Sequence, residues 1–86
     1  MQRFRDTGDF VIENLQLADN GNYRLNEFNG KMIFCYGLSG QALLLSDSRY
    51  MTITAGSHVL IPADADLRGW YGAIDDFSVL MVTLAG

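Results

Sequence analysis

Turn-forming pairs interrupt this chain about every ten residues, a spacing typical of all-β folds, and this feature constrains the fold more than any other. Asn20-Gly21 and Asn29-Gly30 are strong hairpin signals, because both central residues of a type I′ turn need a positive φ that Asn and Gly tolerate. Further breaks fall at residues 39–40, 47–48, 55–56, 62–66 and 72–76. The short segments between them lack helical periodicity, so the sequence predicts strands.

The first of these segments shows the period of two that a half-buried strand requires. Polar Asn14 and Gln16 alternate there with Leu15 and Leu17. In total the breaks delimit eight predicted strands, at residues 9–17, 22–28, 31–38, 41–46, 49–54, 58–62, 67–72 and 77–84. Because no predicted helix could cover a sheet, sheet must pack on sheet, as in a small all-β barrel of short antiparallel strands.

Size and charge limit what such a barrel can do. With 86 residues, 49% of them hydrophobic, residues 1–86 are expected to form a single domain around one core. The net charge of −4 argues against direct binding of nucleic acid, which needs a basic surface. Residues 1–9 lack the apolar block of a signal peptide, and no apolar stretch approaches the length that spans a bilayer. We therefore expect a cytoplasmic protein with no membrane partner.

Between Gly21 and Tyr71 the chain resembles the cupin superfamily, small double-stranded β-helix barrels of the jelly-roll type. The first cupin motif has a glycine, five residues, two histidines one residue apart, a glutamate and a later glycine. The second has a glycine, five residues, a proline, a glycine two further on and a histidine. The turn residues of the two motifs are matched by Gly21, Gly40, Gly56 and Pro62.

The metal-binding positions of these motifs have lost their ligands. Glu27 and Asn29 stand at the first two histidine positions, Ile33 at the glutamate position and Leu67 at the last histidine position. A catalytic metal needs three or four converging His, Asp, Glu or Cys side chains. The resemblance therefore implies a barrel without a metal or other cofactor, and we expect that the chain is not an enzyme.

Among metal-free cupins, the chain is most similar to the N-terminal sensory domain of AraC-type transcription regulators, through residues 38–40, 53–62 and 75–77. This resemblance implies a dimerising domain that binds a sugar or other metabolite and controls DNA binding by a separate helix-turn-helix region. No segment of this sequence is predicted to be that region. Two alternatives remain open. One is a stand-alone small cupin that binds a carbohydrate or metabolite, and the other is a metal-dependent cupin enzyme with ligands at other positions.

Strand alternation predicts which side chains line the barrel lumen. If Ile33 and Leu67 point inward, as their cupin positions imply, Tyr71 shares their face, and Tyr23 and Glu27 join it from the preceding strand. We predict that these five residues form a ligand pocket with one carboxylate and two phenols in a mostly apolar wall. The alternative is that so small a barrel is filled by its own side chains.

The opposite alternation places Met32, Phe34 and Tyr36 on the outer face, with Trp70 similarly placed on its own strand. Large apolar side chains on an exposed face form a patch that soluble monomers usually avoid. We predict that these four residues mark an interface and that the domain forms a homodimer. The alternative is that this face packs against the other sheet of the barrel.

Charged side chains offer further candidates, each with an ordinary structural explanation. Arg24 and Arg68 have the chemistry to receive a carboxylate, although outward arginines also serve to keep a surface soluble. Four aspartates have the oxygen ligands that calcium prefers, although Asp is also a common turn residue: Asp64, Asp66, Asp75 and Asp76.

Overall fold

The computed structural model describes the backbone of residues 2–6 and the whole of residues 10–84. Within these ranges the chain forms antiparallel strands and one short 3-10 turn at Asn26–Phe28. The strands are β1 Gln2–Asp6, β2 Phe10–Gln16, β3 Tyr23–Arg24, β4 Met32–Ser46, β5 Arg49–Thr54, β6 His58–Ile61 and β7 Leu67–Leu84. The predicted all-β class is confirmed. In the described part of the chain, no helix has the length and apolar character needed to cross a membrane.

Two long central strands, β4 and β7, pair with each other and divide the barrel into two sheets. Sheet I contains the first half of β4 and the second half of β7, in the order β1-β2-β7-β4-β6. Sheet II contains the second half of β4 and the first half of β7, in the order β3-β7-β4-β5. The two sheets therefore share their central strands.

Positive φ angles let β4 and β7 bend from one sheet into the other. Gly40 has a φ of +65°, and Asp75 and Asp76 each have a φ of +57°. The hydroxyl of Ser39 donates a hydrogen bond to the carbonyl oxygen of Asp76 at 2.7 Å and ties the two bends together. A side chain at residue 40 would collide with the backbone of Ile74, so this bend requires glycine. The breaks predicted at residues 39–40 and 72–76 are thus bends inside continuous strands.

A β-bulge interrupts the ladder between β4 and the first half of β7. Ser46 is paired with Leu67, but the next residue of β4, Leu45, is paired with Gly69. Arg68 is therefore an extra residue on β7, and such a residue shifts the alternation of the side chains that follow it, up to the next register shift between Tyr71 and Ile74.

The bulge places Trp70 inside the barrel and Tyr71 outside it. Trp70 lies opposite the inward-facing Leu44 and is 0% exposed, whereas Tyr71 lies opposite Leu43 on the outer face. The prediction that Trp70 belongs to the outer face is therefore wrong, and so is the prediction that Tyr71 points into the lumen.

The inner faces of the two sheets meet in a closed apolar core. The indole of Trp70 packs against the ring of Phe77, with 5.1 Å between the ring centroids. The largest fully buried side chains come from both sheets and from the segment between β3 and β4: Trp70, Phe77, Leu15, Leu25, Ile33, Leu44, Leu67, Met81, Val79 and Cys35.

Candidate functional site

The lumen positions predicted from the cupin motifs are core positions. Ile33 and Leu67 point inward, but they are only 0% and 2% exposed. Leu25 and Cys35 are buried in the same cluster. These side chains fill the barrel and do not form the wall of an open pocket, which is the alternative that the sequence left open.

The three polar residues of the predicted pocket, Tyr23, Glu27 and Tyr71, are not part of the buried core cluster. Tyr23 is paired with Trp70 and packs, half-buried, against the core. Glu27 belongs to the 3-10 turn and is exposed. Tyr71 packs edge-on against Tyr50, with 6.2 Å between the ring centroids. The predicted five-residue pocket is therefore wrong, because residue 27 belongs to a turn and the bulge turns residue 71 outward.

The four cupin metal positions do not fit a metal centre. The Asn29 Oδ1 accepts a hydrogen bond from the backbone N–H of Leu67 at 3.0 Å and so fastens the turn before β4. Glu27 is exposed, Ile33 is aliphatic, and His58 lies on the outer face of sheet I. Across residues 10–84, no three His, Cys, Asp or Glu side chains are grouped so that they could hold a metal ion.

The aspartates considered as calcium ligands stabilise turns and the β-bulge. Asp47 Oδ1 accepts a hydrogen bond from the backbone N–H of Asp66 at 2.8 Å. The carboxylate of Asp66 in turn pairs with the guanidinium of Arg68 at 3.0 Å. Asp75 and Asp76 occupy the positive-φ bend of β7. These positions account for Asp66, Asp75 and Asp76 without a cation, and Asp64 is an exposed turn residue between β6 and β7.

Among residues 10–84, two ionisable side chains face the interior of sheet I. Burial raises the pKa of the Cys35 thiol from 9.0 to about 12, because the thiolate would lose its hydration. At neutral pH Cys35 is therefore a protonated thiol, a poor nucleophile and a poor metal ligand. Glu13, opposite Met81, is buried too. The sequence contained a signal for it, since the alternation that turns Leu15 inward also turns Glu13 inward.

The residues predicted to mark an interface divide between the outer surface and the core. Met32 and Tyr36 face outward from β4 and are 36% and 39% exposed, and Phe34 lies half-buried between them. This outward orientation agrees with the alternation predicted for these three residues. Their role in association stays a prediction, and Trp70 is excluded from it by burial.

A cleft of about 520 Å³ opens between β5 and β6, and we call it the edge cleft. Strand β5 is the edge of sheet II and β6 is an edge of sheet I, so the cleft lies where the two sheets part. It is lined by side chains of both strands and of the segments that follow β4 and β6: Ser46, Asp47, Arg49, Tyr50, Met51, Val59, Leu60, Ile61, Pro62 and Ala65.

The floor and rim of the edge cleft differ in chemistry. Met51 and Val59 form an apolar floor that packs on the core. Asp47, Arg49 and Tyr50 are exposed at the rim. An apolar floor with a few polar groups at its edge is typical of small-molecule sites. Sequence analysis missed this cleft because its two walls are edge strands of different sheets. Local sequence patterns do not predict which edge strands lie next to each other.

Comparison with known proteins identifies the fold. No family model and no curated protein matches the chain. Among solved structures, a Cupin 2 conserved barrel domain protein from Salinispora arenicola superposes with a TM-score of 0.82 at 18% identity, over 99% of this chain and 74% of that one. A cupin superfamily protein from Desulfitobacterium hafniense gives a TM-score of 0.82 at 15% identity, over 99% and 75%.

An RmlC-like cupin from Desulfovibrio desulfuricans is also similar, with a TM-score of 0.75 at 14% identity, over 96% of this chain and 78% of that one. Identities this low carry information about the fold and not about ligand or activity. The shared barrel, the two sheets with common central strands and the turn residues of the cupin motifs agree with one another. This chain therefore has the fold of a small cupin barrel.

Proposed function

We propose that this chain is a non-catalytic, ligand-binding cupin and that its ligand is a small molecule held in the edge cleft. The cleft itself carries the proposal, because it combines a volume of about 520 Å³ with an apolar floor and a charged rim. Small-molecule sites in proteins occupy volumes of about 300–1,000 Å³, so a sugar or another metabolite of that size can be accommodated.

The rim indicates the chemistry of the ligand. The guanidinium of Arg49 is suited to a carboxylate or to vicinal hydroxyls, and the exposed ring of Tyr50 offers a flat apolar surface beside it. Met51 and Val59 favour an apolar face on the part of the ligand that enters the cleft. A sugar acid or a hydroxylated carboxylic acid meets these requirements.

The most specific form of this proposal is a sensory domain of an AraC-type transcription regulator. It is supported by the sequence segments 38–40, 53–62 and 75–77, which contribute the bends of β4 and β7 and strand β6. A ligand that contacts β5 and β6 together would bind more tightly to one spacing of the two sheets than to another. A regulatory response requires that the ligand bind two conformations with different affinity. A helix-turn-helix region encoded after Gly86 would support this form, and its absence would favour the stand-alone cupin.

A metal-dependent cupin enzyme is the disfavoured candidate. The side chains at the cupin metal positions are an exposed glutamate, a turn-fastening asparagine and two buried aliphatic residues. Cys35 remains protonated at neutral pH because its pKa is raised to about 12. These observations favour a binding function over metal-assisted chemistry.

A thermal-shift screen of sugars, sugar acids and small carboxylic acids tests the proposal. A ligand at about 100 times its Kd should stabilise the domain by about 2.7 kcal/mol, or about 10 °C or more in a chain of this size. Arg49→Ala should weaken that ligand about tenfold, as expected for the loss of a charge-assisted hydrogen bond, whereas the matched control Arg24→Ala, on sheet II, should leave the affinity unchanged. The proposal fails if no compound shifts the melt, or if Arg49→Ala and Tyr50→Ala bind the ligand as the wild type does.

A further inference from the structure

We propose that the outer face of sheet II carries a second binding site, which takes a phosphate monoester. The site is a hollow of about 300 Å³ lined by four polar side chains, Arg24, Asn26, Arg68 and Tyr71, and we call it the polar hollow. It shares no lining residue with the edge cleft, so this inference is independent of the function proposed above.

Backbone contacts hold the two walls of the polar hollow together. Arg24 lies on β3 directly opposite Gly69 of β7. The backbone N–H of Leu25 donates a hydrogen bond to the carbonyl oxygen of Arg68 at 2.9 Å. A side chain at residue 69 would collide with the carbonyl oxygen of Tyr23, so glycine there allows β3 to approach β7 this closely. The two arginines therefore line the same hollow although they come from different strands.

An ion pair orients the guanidinium of Arg68. Its Nε and Nη2 both donate hydrogen bonds to Oδ2 of Asp66, at 3.2 and 3.0 Å. Asp66 is itself anchored, because its backbone N–H donates a hydrogen bond to Oδ1 of Asp47 at 2.8 Å. These contacts use one edge of the guanidinium and leave its Nη1 group without a partner among the described residues. A side chain that is already oriented loses less entropy when it binds a ligand.

The other three side chains of the polar hollow offer unused hydrogen-bond donors. In the described part of the chain, no residue forms a hydrogen bond or ion pair with the Arg24 guanidinium, the Asn26 side-chain amide or the Tyr71 hydroxyl. The ring of Tyr71 is positioned by its edge contact with Tyr50. None of the four lining residues is acidic, so two formal positive charges face one opening on a chain whose net charge is −4.

The number of donors favours a phosphate monoester over a carboxylate. The two guanidiniums, the amide and the hydroxyl together present about six N–H or O–H groups. A carboxylate accepts about four hydrogen bonds, whereas a phosphate monoester has about three strongly accepting oxygens and a charge of about −1.5 to −2 at pH 7. Arg24 and Arg68 are exposed to water, which screens each charge pair, so we expect a Kd of about 1 mM.

NMR titration of the isotope-labelled chain with methyl phosphate, dimethyl phosphate and acetate, at neutral pH and constant ionic strength, tests the site. Methyl phosphate should shift the amide resonances of the four lining residues saturably, with a Kd about fivefold or more below those of the two monoanions. Arg24→Ala should raise that Kd about tenfold. Arg24→Lys, which keeps the charge but loses the planar guanidinium, should raise it about threefold. The matched control Lys31→Ala removes an exposed charge outside the hollow and should change the Kd by less than about twofold.

Three results would overturn the proposal. One is that the resonances of the polar hollow show no saturable shift up to about 20 mM methyl phosphate, which would put any Kd far above the expected range. Another is equal affinity for methyl phosphate and for dimethyl phosphate or acetate, which would identify a surface that attracts anions without selecting a monoester. The third is a Kd that Lys31→Ala raises as much as Arg24→Ala does, because only the net charge of the chain would then matter.

Discussion

The outer faces of the two sheets differ in polarity although β4 and β7 run through both. On sheet I the central outward row is Leu60, Phe34 and Val82, all apolar. On sheet II the corresponding row is Thr52, Leu43 and Tyr71, and the polar hollow of about 300 Å³ lies among Arg24, Asn26, Arg68 and Tyr71. The outward row of sheet I is therefore apolar throughout, whereas that of sheet II mixes apolar and polar side chains.

The difference lies in the outward side chains and not in the core. Before Gly40, strand β4 turns Met32, Phe34 and Tyr36 outward. After Gly40 the same strand turns Gln41 outward beside Thr54, and Leu43 outward beside Thr52. Both halves contribute buried residues to one shared core. The pattern of inward residues therefore specifies the barrel, while the outward residues decide what each sheet meets.

The largest expected difference in stability is between the truncation variants of two neighbouring residues on sheet II. Trp70→Ala removes a fully buried indole and should lower the free energy of unfolding by about 3–5 kcal/mol, as for other buried aromatic side chains. Tyr71→Ala removes a half-exposed side chain and should cost less than about 1 kcal/mol. Urea denaturation of both variants measures the difference. Equal losses would mean that the outer face of sheet II is packed and not hydrated.

High pH should destabilise the inner side of sheet I. The pKa of Cys35 is raised by burial to about 12, so the folded state favours the protonated thiol. The stability that the protonated thiol contributes to the folded state is fully present below pH 9. It is lost as the pH rises towards 12, and the loss from Cys35 amounts to at most about 4 kcal/mol. Cys35→Val should reduce the loss between pH 9 and 11 in matched melts. Rapid alkylation of the native thiol at pH 8 would instead place Cys35 at an accessible surface.

The smallest expected change in stability comes from replacing a buried threonine of sheet I, and an exposed threonine of sheet II serves as its control. The hydroxyl of Thr83 is buried and has no hydrogen-bond partner among the described residues. Thr83→Val removes that unsatisfied group at nearly constant volume and should stabilise the fold by about 1 kcal/mol. Thr52→Val, at an exposed position, should change stability by less than about 0.5 kcal/mol. A destabilised Thr83→Val variant would show that this hydroxyl is satisfied.

Local turn chemistry and alternation predict much of the barrel. Residues 49–54 were predicted as a strand and form β5 with the same bounds, and β6 differs from its prediction by one residue. Alternation also places Met32, Phe34 and Tyr36 outward, because the pairing register with β7 is continuous from Met32 to Gly37. The bends at Gly40 and Asp75 were mistaken for strand ends, since a positive φ interrupts the residue pattern in the same way whether or not cross-strand pairing continues.

The candidate site was harder to predict because it depends on contacts between distant segments. The inward position of Trp70 follows from one extra residue, Arg68, which alternation cannot detect. The edge cleft requires β5 and β6 to lie at the open margins of two sheets, which only the complete pairing order defines. The inward orientation of Glu13 could have been predicted from the sequence, because Glu13 lies two residues before the inward-facing Leu15 on the same strand.

The shared ladder of β4 and β7 also determines how fast this protein can reach its native state. Its two ends differ in chain separation, since Ser46 pairs with Leu67 at one end and Met32 pairs with Leu84 at the other. Closing the shorter loop loses less entropy, so pairing should begin beside β5 and proceed towards the chain termini. Folds dominated by such non-local pairing form in about milliseconds to seconds. Sheet I is then completed last, and its outward side chains Phe34, Leu60 and Val82 stay separated longest during folding.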